Sequence, residues 1–302
     1  MKKGPLTPKG FRDIEPEQAK KRRVAINTIA GVLEEFGFVP IETPTLEFAE
    51  TLLGKYGEEE KLIYKFTDRG GRNLALRYDL TVPLARFVAN NLGALTPTFA
   101  RYQVGQVFRG ENPQKGRYRE ITQFDFDTVG SADINEDAKV IAAAVKGARA
   151  VGLIEATMLI NDRRRFESVP VEAVRIFDKL DKVGMEGVTQ ELAEKGFKKD
   201  EIENYKSLIT SEEKGEFITA LFGELEEKFS LSEGKDFVFA PALARGLDYY
   251  TSTVFELKPT GKPDELSIGG GGRYDNLIGV FAGRDIPAVG FSFGLDRLVE
   301  II

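Results

Sequence analysis

Strand signals fall in two blocks, and the segment between them carries none. "KLIYKFTD", "NLALRYDLT", "TFARYQVGQVFRG" and "REITQFDFDTVG" read as strands in the first half. "DFVFAPAL", "YYTSTVFEL" and "LSIGGGGRY" read as strands near the end. From Arg165 to Glu233 charge rises and helical spacing takes over. Ala173, Ile176, Phe177 and Leu180 share one helical face, and Phe217, Ala220, Leu221 and Leu225 share another. This order predicts an α+β core interrupted by a helical insertion. The expected divisions are residues 1–164 and 234–302 for the two parts of the core and 165–233 for the insertion. Turn residues such as "RGGR" at Arg69 to Arg72 and "NPQKG" at Asn112 to Gly116 join most strands. Short turns favour an antiparallel sheet over a doubly wound parallel one.

Three helices are expected in the first half. Ala25, Ile26, Ile29, Val32, Leu33 and Phe36 recur at helical spacing from Pro16 onward, and Gly37 ends the run. "VPLARFVANNL" is a second helix. The Ala-rich "NEDAKVIAAAVKGARAVG" is a third, closed by Gly152. The chain closes on "AVGFSFGLDRLVEII", a strand, a glycine and the start of a helix.

Residue types narrow the chemistry. The 302 residues contain no cysteine and no histidine. Disulfides, thiolate catalysis, imidazole acid–base catalysis and His-ligated zinc are excluded. Carboxylates, Arg, Lys, Tyr, hydroxyls or a bound ligand must do the work, and no residue is singled out as a metal ligand. A net charge of −6 argues against coating nucleic acid non-specifically, although a local basic patch remains compatible with it. The first residues lack the apolar run of a signal peptide, and no stretch approaches the roughly 20 apolar residues of a membrane span. A cytoplasmic protein that does not engage membranes is the expectation.

Between Arg101 and Arg119 lie five cations (Arg101, Arg109, Lys115, Arg117, Arg119) and one acid, Glu111. Arginine presents a planar fork suited to phosphate oxygens. In the strand that follows, Arg119, Ile121, Gln123, Asp125 and Asp127 share one face, opposite Phe124 and Phe126. That polar face is a candidate binding floor, and simple solvent exposure explains it equally well. In "LALRYDLT", Arg77, Asp79 and Thr81 share a face, which could receive an ammonium group. The four glycines Gly269 to Gly272 fit neither a P-loop nor a dinucleotide fingerprint, and they suit a strand whose backbone a ligand approaches closely. Tyr249 and Tyr250, read as strand neighbours, point to opposite faces, so one of them is expected to enter any one site. Arg297 in the first turn of a helix opposes the helix dipole, and an anionic ligand accounts for it.

Taken in order, these segments resemble the histidyl-tRNA synthetase family of class II aminoacyl-tRNA synthetases. The resemblance rests on "GFVPIETPTLE", "LRYDLT", "FRGENPQKGRYREITQFDFD", "ARGLDYYTSTVFE", "SIGGGGRYDNLI" and "AVGFSFGLDRL". It implies a class II synthetase-like antiparallel sheet flanked by helices, in a homodimer. It also implies ATP, with Mg²⁺, and histidine as substrates, and the acceptor end of tRNA(His) as the partner that receives histidine. Arg109, Arg245 and Arg297 match the catalytic arginines. Glu111, Arg117 and Ile121 match further ATP contacts, with Ile121 where the class usually has an adenine-stacking phenylalanine. Asp79, Thr81 and Gln123 match binders of the histidine ammonium, Asp127 and Tyr250 match the groups that read the imidazole, and Arg245 and Tyr249 are counted with the histidine-binding residues. Asn112, Gln114 and Lys115 match the loop that reaches tRNA. The anticodon-binding domain of the family has no expected counterpart in the sequence. The rival within the same fold is the non-catalytic regulatory subunit of ATP phosphoribosyltransferase, which senses histidine and would be expected to lose the phosphate arginines.

Overall fold

The computed structural model describes residues 6–113, 118–244, 249–260 and 267–302. In chain order the elements are α1 (Pro16–Glu35), β1 (Val39–Pro40), β2 (Leu46–Phe48), α2 (Ala49–Leu52), β3 (Lys65–Thr67), β4 (Asn73–Leu76) and α3 (Thr81–Asn91). Then come β5 (Phe99–Phe108), β6 (Glu120–Val129), α4 (Ile134–Ala150) and β7 (Ala156–Asp162). Four helices follow without a strand: α5 (Val171–Phe177), α6 (Leu180–Glu194), α7 (Lys199–Thr210) and α8 (Gly215–Phe229). The chain closes with β8 (Phe237–Phe239), β9 (Thr253–Pro259), β10 (Gly269–Arg273), α9 (Gly279–Ala282), β11 (Ala288–Gly294) and α10 (Leu295–Ile301).

Eight strands form one sheet in the order β1-β5-β6-β11-β10-β9-β7-β8. The pairs at its two edges, β1 with β5 and β7 with β8, are parallel, and every other pair is antiparallel. The expected α+β antiparallel sheet is therefore present. "KLIYKFTD" and "NLALRYDLT" do not join it. Only Lys65–Thr67 and Asn73–Leu76 are extended, and they form a separate three-stranded sheet with β2. Lys61 and Leu62 belong instead to a 3-10 turn over Gly57–Leu62.

One face of the large sheet is covered by α1, α4, α8 and α10. Ala25, Ile29 and Leu33 of α1 meet the alanine run of α4 and the phenylalanines of β6 and β11 in one cluster. The start of α4 is fixed by Asp133, whose carboxylate accepts from Asn135 N at 2.9 Å. Its end is fixed by Gly152 at φ +97°, a left-handed conformation that suits glycine. On the other face, α2, α3 and α9 form a second cluster around Tyr78, Leu84 and Leu277. Residues from Phe166 to Ile209, on α5, α6, α7 and the turn before them, share a third cluster. The last helix of the strand-free block, α8, packs instead on α4 through Ile218, Leu221 and Leu225.

A buried charge pair ties the helical layer to the sheet. Asp137 of α4 receives Arg273 Nε at 3.2 and 3.1 Å on its two oxygens and the Thr253 hydroxyl at 2.7 Å. Neither charged residue is more than 4% exposed, so neither can be solvated if its partner is lost. Asp137→Ala leaves the Arg273 guanidinium buried with only Asp275, at 3.2 Å, as a carboxylate partner, and is expected to cost up to about 3–5 kcal/mol. Denaturant unfolding of the wild-type protein and the variant measures this, and replacing Arg273 by Met in the same chain should recover a large part of the loss.

Candidate active site

β6 and β11 lie antiparallel in the middle of the large sheet, with Gly290 opposite Asp127, Ser292 opposite Asp125 and Gly294 opposite Gln123. Alternation sorts their side chains. Phe124, Phe126, Phe291 and Phe293 go to the helix-covered face, with ring centroids of neighbouring pairs 4.8–6.0 Å apart. Ile121, Gln123 and Asp125 go to the other face with Ser292, where they line a cavity of about 460 Å³. The polar floor read from the sequence is thus a cavity wall rather than solvated surface.

Asp79 and Thr81 also line this cavity, by a route that strand alternation does not describe. β4 stops at Leu76, and Asp79 turns into the start of α3. Its Oδ1 accepts from Val82 N at 3.0 Å and from the Tyr56 hydroxyl at 3.0 Å. Satisfying a first-turn N–H of a helix wins over continuing the strand. Arg77 therefore does not share their face, and instead donates to the carbonyls of Gln106 at 2.7 Å and Thr43 at 2.8 Å.

Tyr249 and Tyr250 both line the cavity, with ring centroids 4.9 Å apart. They precede β9, which begins at Thr253, so the rule that adjacent strand residues face opposite ways does not apply. The glycines are in a strand, as expected, and serve packing as well as access. Gly269 and Gly270 line the cavity. A Cβ on Gly272 would lie 2.7 Å from the Tyr250 ring, and one on Gly271 would collide with the Gly290 carbonyl.

Arg109 lies over the Tyr78 ring at 4.6 Å and donates to the Tyr78 carbonyl at 3.2 Å. The Tyr78 hydroxyl is held by Glu59 at 2.7 Å. Burial disfavours the charge on Arg109, but Tyr78, Asp79, Glu59 and Glu111 outweigh it and keep the guanidinium protonated. Arg297, on α10, donates to the Ser267 carbonyl at 3.0 Å. Its neighbour Asp296 is clamped by Arg12 and Arg22 and accepts from Thr122 N at 2.8 Å, which fixes α10 against β6 beside Ile121. Glu111 is part of the lining, whereas Asn112 is exposed and is not. Gln114, Lys115, Arg117 and Arg245 lie outside the described residues.

Asp127 differs from its neighbours on β6. It lies behind the wall, outside the lining, where a Cβ on Gly290 would run into its carboxylate. Its Oδ1 accepts from the Tyr274 hydroxyl at 2.5 Å, and its Oδ2 lies 2.6 Å from Arg101, a residue with no exposed surface. Sequence reasoning assigned no site role to Tyr274, Ser292 or Asp296, and gave Arg101 and Asp125 no individual role beyond the cation run and the candidate binding floor. Asp125 was on the face already read as polar. The others gain meaning only from cross-strand register and from contacts between distant segments.

Seven carboxylates of the described lining (Glu59, Asp79, Glu111, Asp125, Asp178, Glu256, Asp296) face two guanidiniums, those of Arg109 and Arg297. Burial raises the pKa of Asp79 against the hydrogen bonds from Val82 and Tyr56. Burial pushes Asp125 up to about 7, against the pull of Arg101 and with the added repulsion of Asp127. Between the ordinary carboxylate value near ~4 and about 7, the folded chain holds a proton that the unfolded chain has released. Asp125 therefore costs stability as pH rises through that window. Asp125→Asn should raise Tm at pH 8 by at least about 2–4 °C, the shift ~1 kcal/mol produces in a chain of this size, and change it less at pH 4.5. Thermal melts at the two pH values check the sign.

The chain matches the family model described as histidyl-tRNA synthetase over residues 10–298. It is 43% identical to the histidine–tRNA ligase of Aeropyrum pernix, covering 98% of this chain and 74% of that one. The crystal structure of histidyl-tRNA synthetase from Nostoc sp. PCC 7120 is similar with a TM-score of 0.85 at 30% identity, over 99% of this chain and 75% of that one. A Bacillus halodurans structure titled ATP phosphoribosyltransferase regulatory subunit/histidyl-tRNA synthetase is similar with a TM-score of 0.80 at 25% identity, over 98% and 82% of the two chains.

Proposed function

Because this chain belongs to the histidyl-tRNA synthetase family, we infer that it activates histidine with ATP and then loads histidine onto tRNA(His). The observation that carries the reading is the pairing, in one cavity, of the guanidiniums of Arg109 and Arg297 with the acceptors Asp79, Gln123 and Asp125. A nucleotide phosphate suits the first set and an amino-acid ammonium the second.

In the first half-reaction the histidine carboxylate attacks the α-phosphorus of ATP. The bond to pyrophosphate breaks as the bond to the carboxylate forms, giving histidyl-adenylate. The nucleophile is already an anion, so no general base is required, and a chain without histidine is at no disadvantage. The work is positioning and stabilisation of charge on the phosphoryl oxygens. Arg109 would hold the α-phosphate, Arg297 would cover the adenine and phosphates, and Glu111 and Ile121 would flank the nucleotide. Thr81 would join Asp79 and Gln123 at the ammonium, and Tyr250 with Tyr249 would meet the imidazole. Arg117 and Arg245 keep the roles that the family motifs give them. Mg²⁺ arriving with ATP would neutralise phosphate charge, and since no three acidic side chains among the described residues are grouped to hold a metal ion, the nucleotide itself would supply most of its ligands.

The tRNA reading assigns the strand-free helical block to the acceptor stem and the loop around Asn112 to its first base pair. A homodimer is supported by exposed apolar residues on β1 and the small sheet: Val39, Leu46, Phe48 and Phe66. The site of action proposed is the cytoplasm, and no described helix is long and apolar enough to cross a membrane. Arg109 and Arg297 in the cavity favour the ligase over the regulatory reading raised by the Bacillus halodurans likeness.

Histidine-dependent exchange of pyrophosphate into ATP tests the reading. Exchange is expected with histidine and not with the other amino acids. Histidine binding with exchange at background would move the protein to the regulatory class. Ile121 covers adenine by dispersion without an aromatic stack, a loss of ~1 kcal/mol. Ile121→Phe should therefore lower the ATP KM roughly fivefold and leave the histidine KM in place.

A further inference from the structure

The residues before α1 are docked on the β5–β6 hairpin where its loop rejoins β6. Phe11 N donates to the Pro8 carbonyl at 3.0 Å, which turns the chain, and the Phe11 ring lies 6.4 Å from that of Tyr64. Arg119 N donates to the Gly10 carbonyl at 2.9 Å. Gly10 is at φ +89°, and a Cβ there would lie 2.8 Å from Arg119 Cγ, so this close approach requires glycine. Arg119 is spent on the loop in turn, with Nε donating to the Glu111 carbonyl at 2.8 Å.

Arg12 then reaches the cavity lining in two places. Its guanidinium carbon lies 3.7 Å from the centre of the Tyr118 ring, and its edge pairs with Asp296, with Glu300 at 3.7 Å. Tyr118 and Asp296 both line the cavity, as do Ile121 and Arg297. A planar guanidinium can do both at once, because its N–H groups point outward in the plane while its face covers a ring. Arg22 also pairs with Asp296, at 2.5 Å, and gives its other nitrogen to the Thr122 hydroxyl at 2.5 Å. Asp296 is therefore held without Arg12. Among the described residues, the cation over Tyr118 is Arg12 alone.

We propose that Tyr118 is a nucleotide-contacting residue of this cavity, offering its ring to the nucleoside part of ATP beside Ile121, and that Arg12 is a positioning residue that sets the plane of that ring. The inference rests on the ATP-using reading of the site. Arg12 takes one face of the ring, and the rest of it is what the cavity receives. A ring already held in place loses little further freedom when a nucleoside packs on it. With isoleucine at 121, Tyr118 brings an aromatic surface to that end of the cavity.

Three probes separate the contacts: ATP, inorganic tripolyphosphate, which has the phosphates without the nucleoside, and histidinol. Calorimetric titration of the full chain compares wild type, Arg12→Ala, Tyr118→Leu and the double variant. Each single variant should weaken ATP by at least about fivefold, the scale of one base–aromatic contact, with tripolyphosphate and histidinol within about twofold of wild type. Because Arg12 acts through the ring, the double variant should bind ATP no more weakly than Tyr118→Leu alone. Additive losses, equal losses for ATP and tripolyphosphate, or unchanged ATP affinity in Arg12→Ala overturn the proposal. If Arg12→Ala does not fold, Arg12→Lys decides. Lysine keeps the charge and lacks the flat fork that lies on a ring and holds a carboxylate together. Its ATP affinity should fall at least about threefold with tripolyphosphate unchanged, and wild-type affinity overturns the proposal. In pyrophosphate exchange the same variants should raise the ATP KM and leave the histidine KM in place. Wild-type protein that binds ATP without exchange loses the catalytic reading, and the comparison of variants still decides the role of Arg12. Exchange in the wild type with ATP affinity unchanged in Arg12→Ala removes this proposal alone, so the two failures are distinguishable.

Discussion

The pairing of β6 with β11 is the constraint on which the rest depends. Because side chains alternate along each strand, one register decides both what is buried and what is displayed. On one face, Phe124, Phe126, Phe291 and Phe293 join the cluster under α1 and α4. On the other, Gln123, Asp125 and Ser292 become a wall of hydrogen-bonding groups. A slip of one residue would send phenylalanine into the cavity and carboxylate into the core, and either exchange is costly. Core stability and site chemistry are thus set by the same register.

That wall is also where stability is given up. Asp79, Asp125 and Asp127 are all buried, and burial raises the pKa of each. Arg101 sits beneath them with no exposed surface, so the sheet carries a charge cluster within its interior. The cost is offset elsewhere: by the continuous apolar cluster on the helix-covered face and by the Asp137–Arg273–Thr253 tie between α4 and the sheet. A rigid frame holding an electrostatically unfavourable pocket is the arrangement expected where a cation must later bind.

Much of this was legible in the sequence, for reasons that are local. The helix from Pro16, the alanine helix closed by Gly152 and the phenylalanine–aspartate alternation of β6 rest on periodicities and end signals within a few residues. The antiparallel architecture followed from short turns. The failures share a different cause. "NLALRYDLT" leaves its strand at Leu76 because Asp79 finds a helix N–H to accept from. Tyr249 and Tyr250 enter the same cavity because they stand before the strand, not in it. Asp125 and Asp127 look alike in the one-dimensional pattern, and only the opposing residues Ser292 and Gly290, with Tyr274 and Arg101, make them different. Residue identity and spacing carry the first kind of fact, and the partner chosen by a distant segment carries the second.

Asp296 sits near the end of the described chain, yet its carboxylate is held by Arg12 from before α1 and by Arg22 within α1. The side of the cavity near Ile121 and Arg297 is closed by contacts spanning nearly the whole sequence. Closing so long a loop carries an entropic cost, although one that grows only slowly with length. The pairing of β6 with β11 joins segments that are also far apart in sequence, so the middle of the sheet and this side of the cavity depend on the same C-terminal residues. The wall and the frame that carries it are complete together.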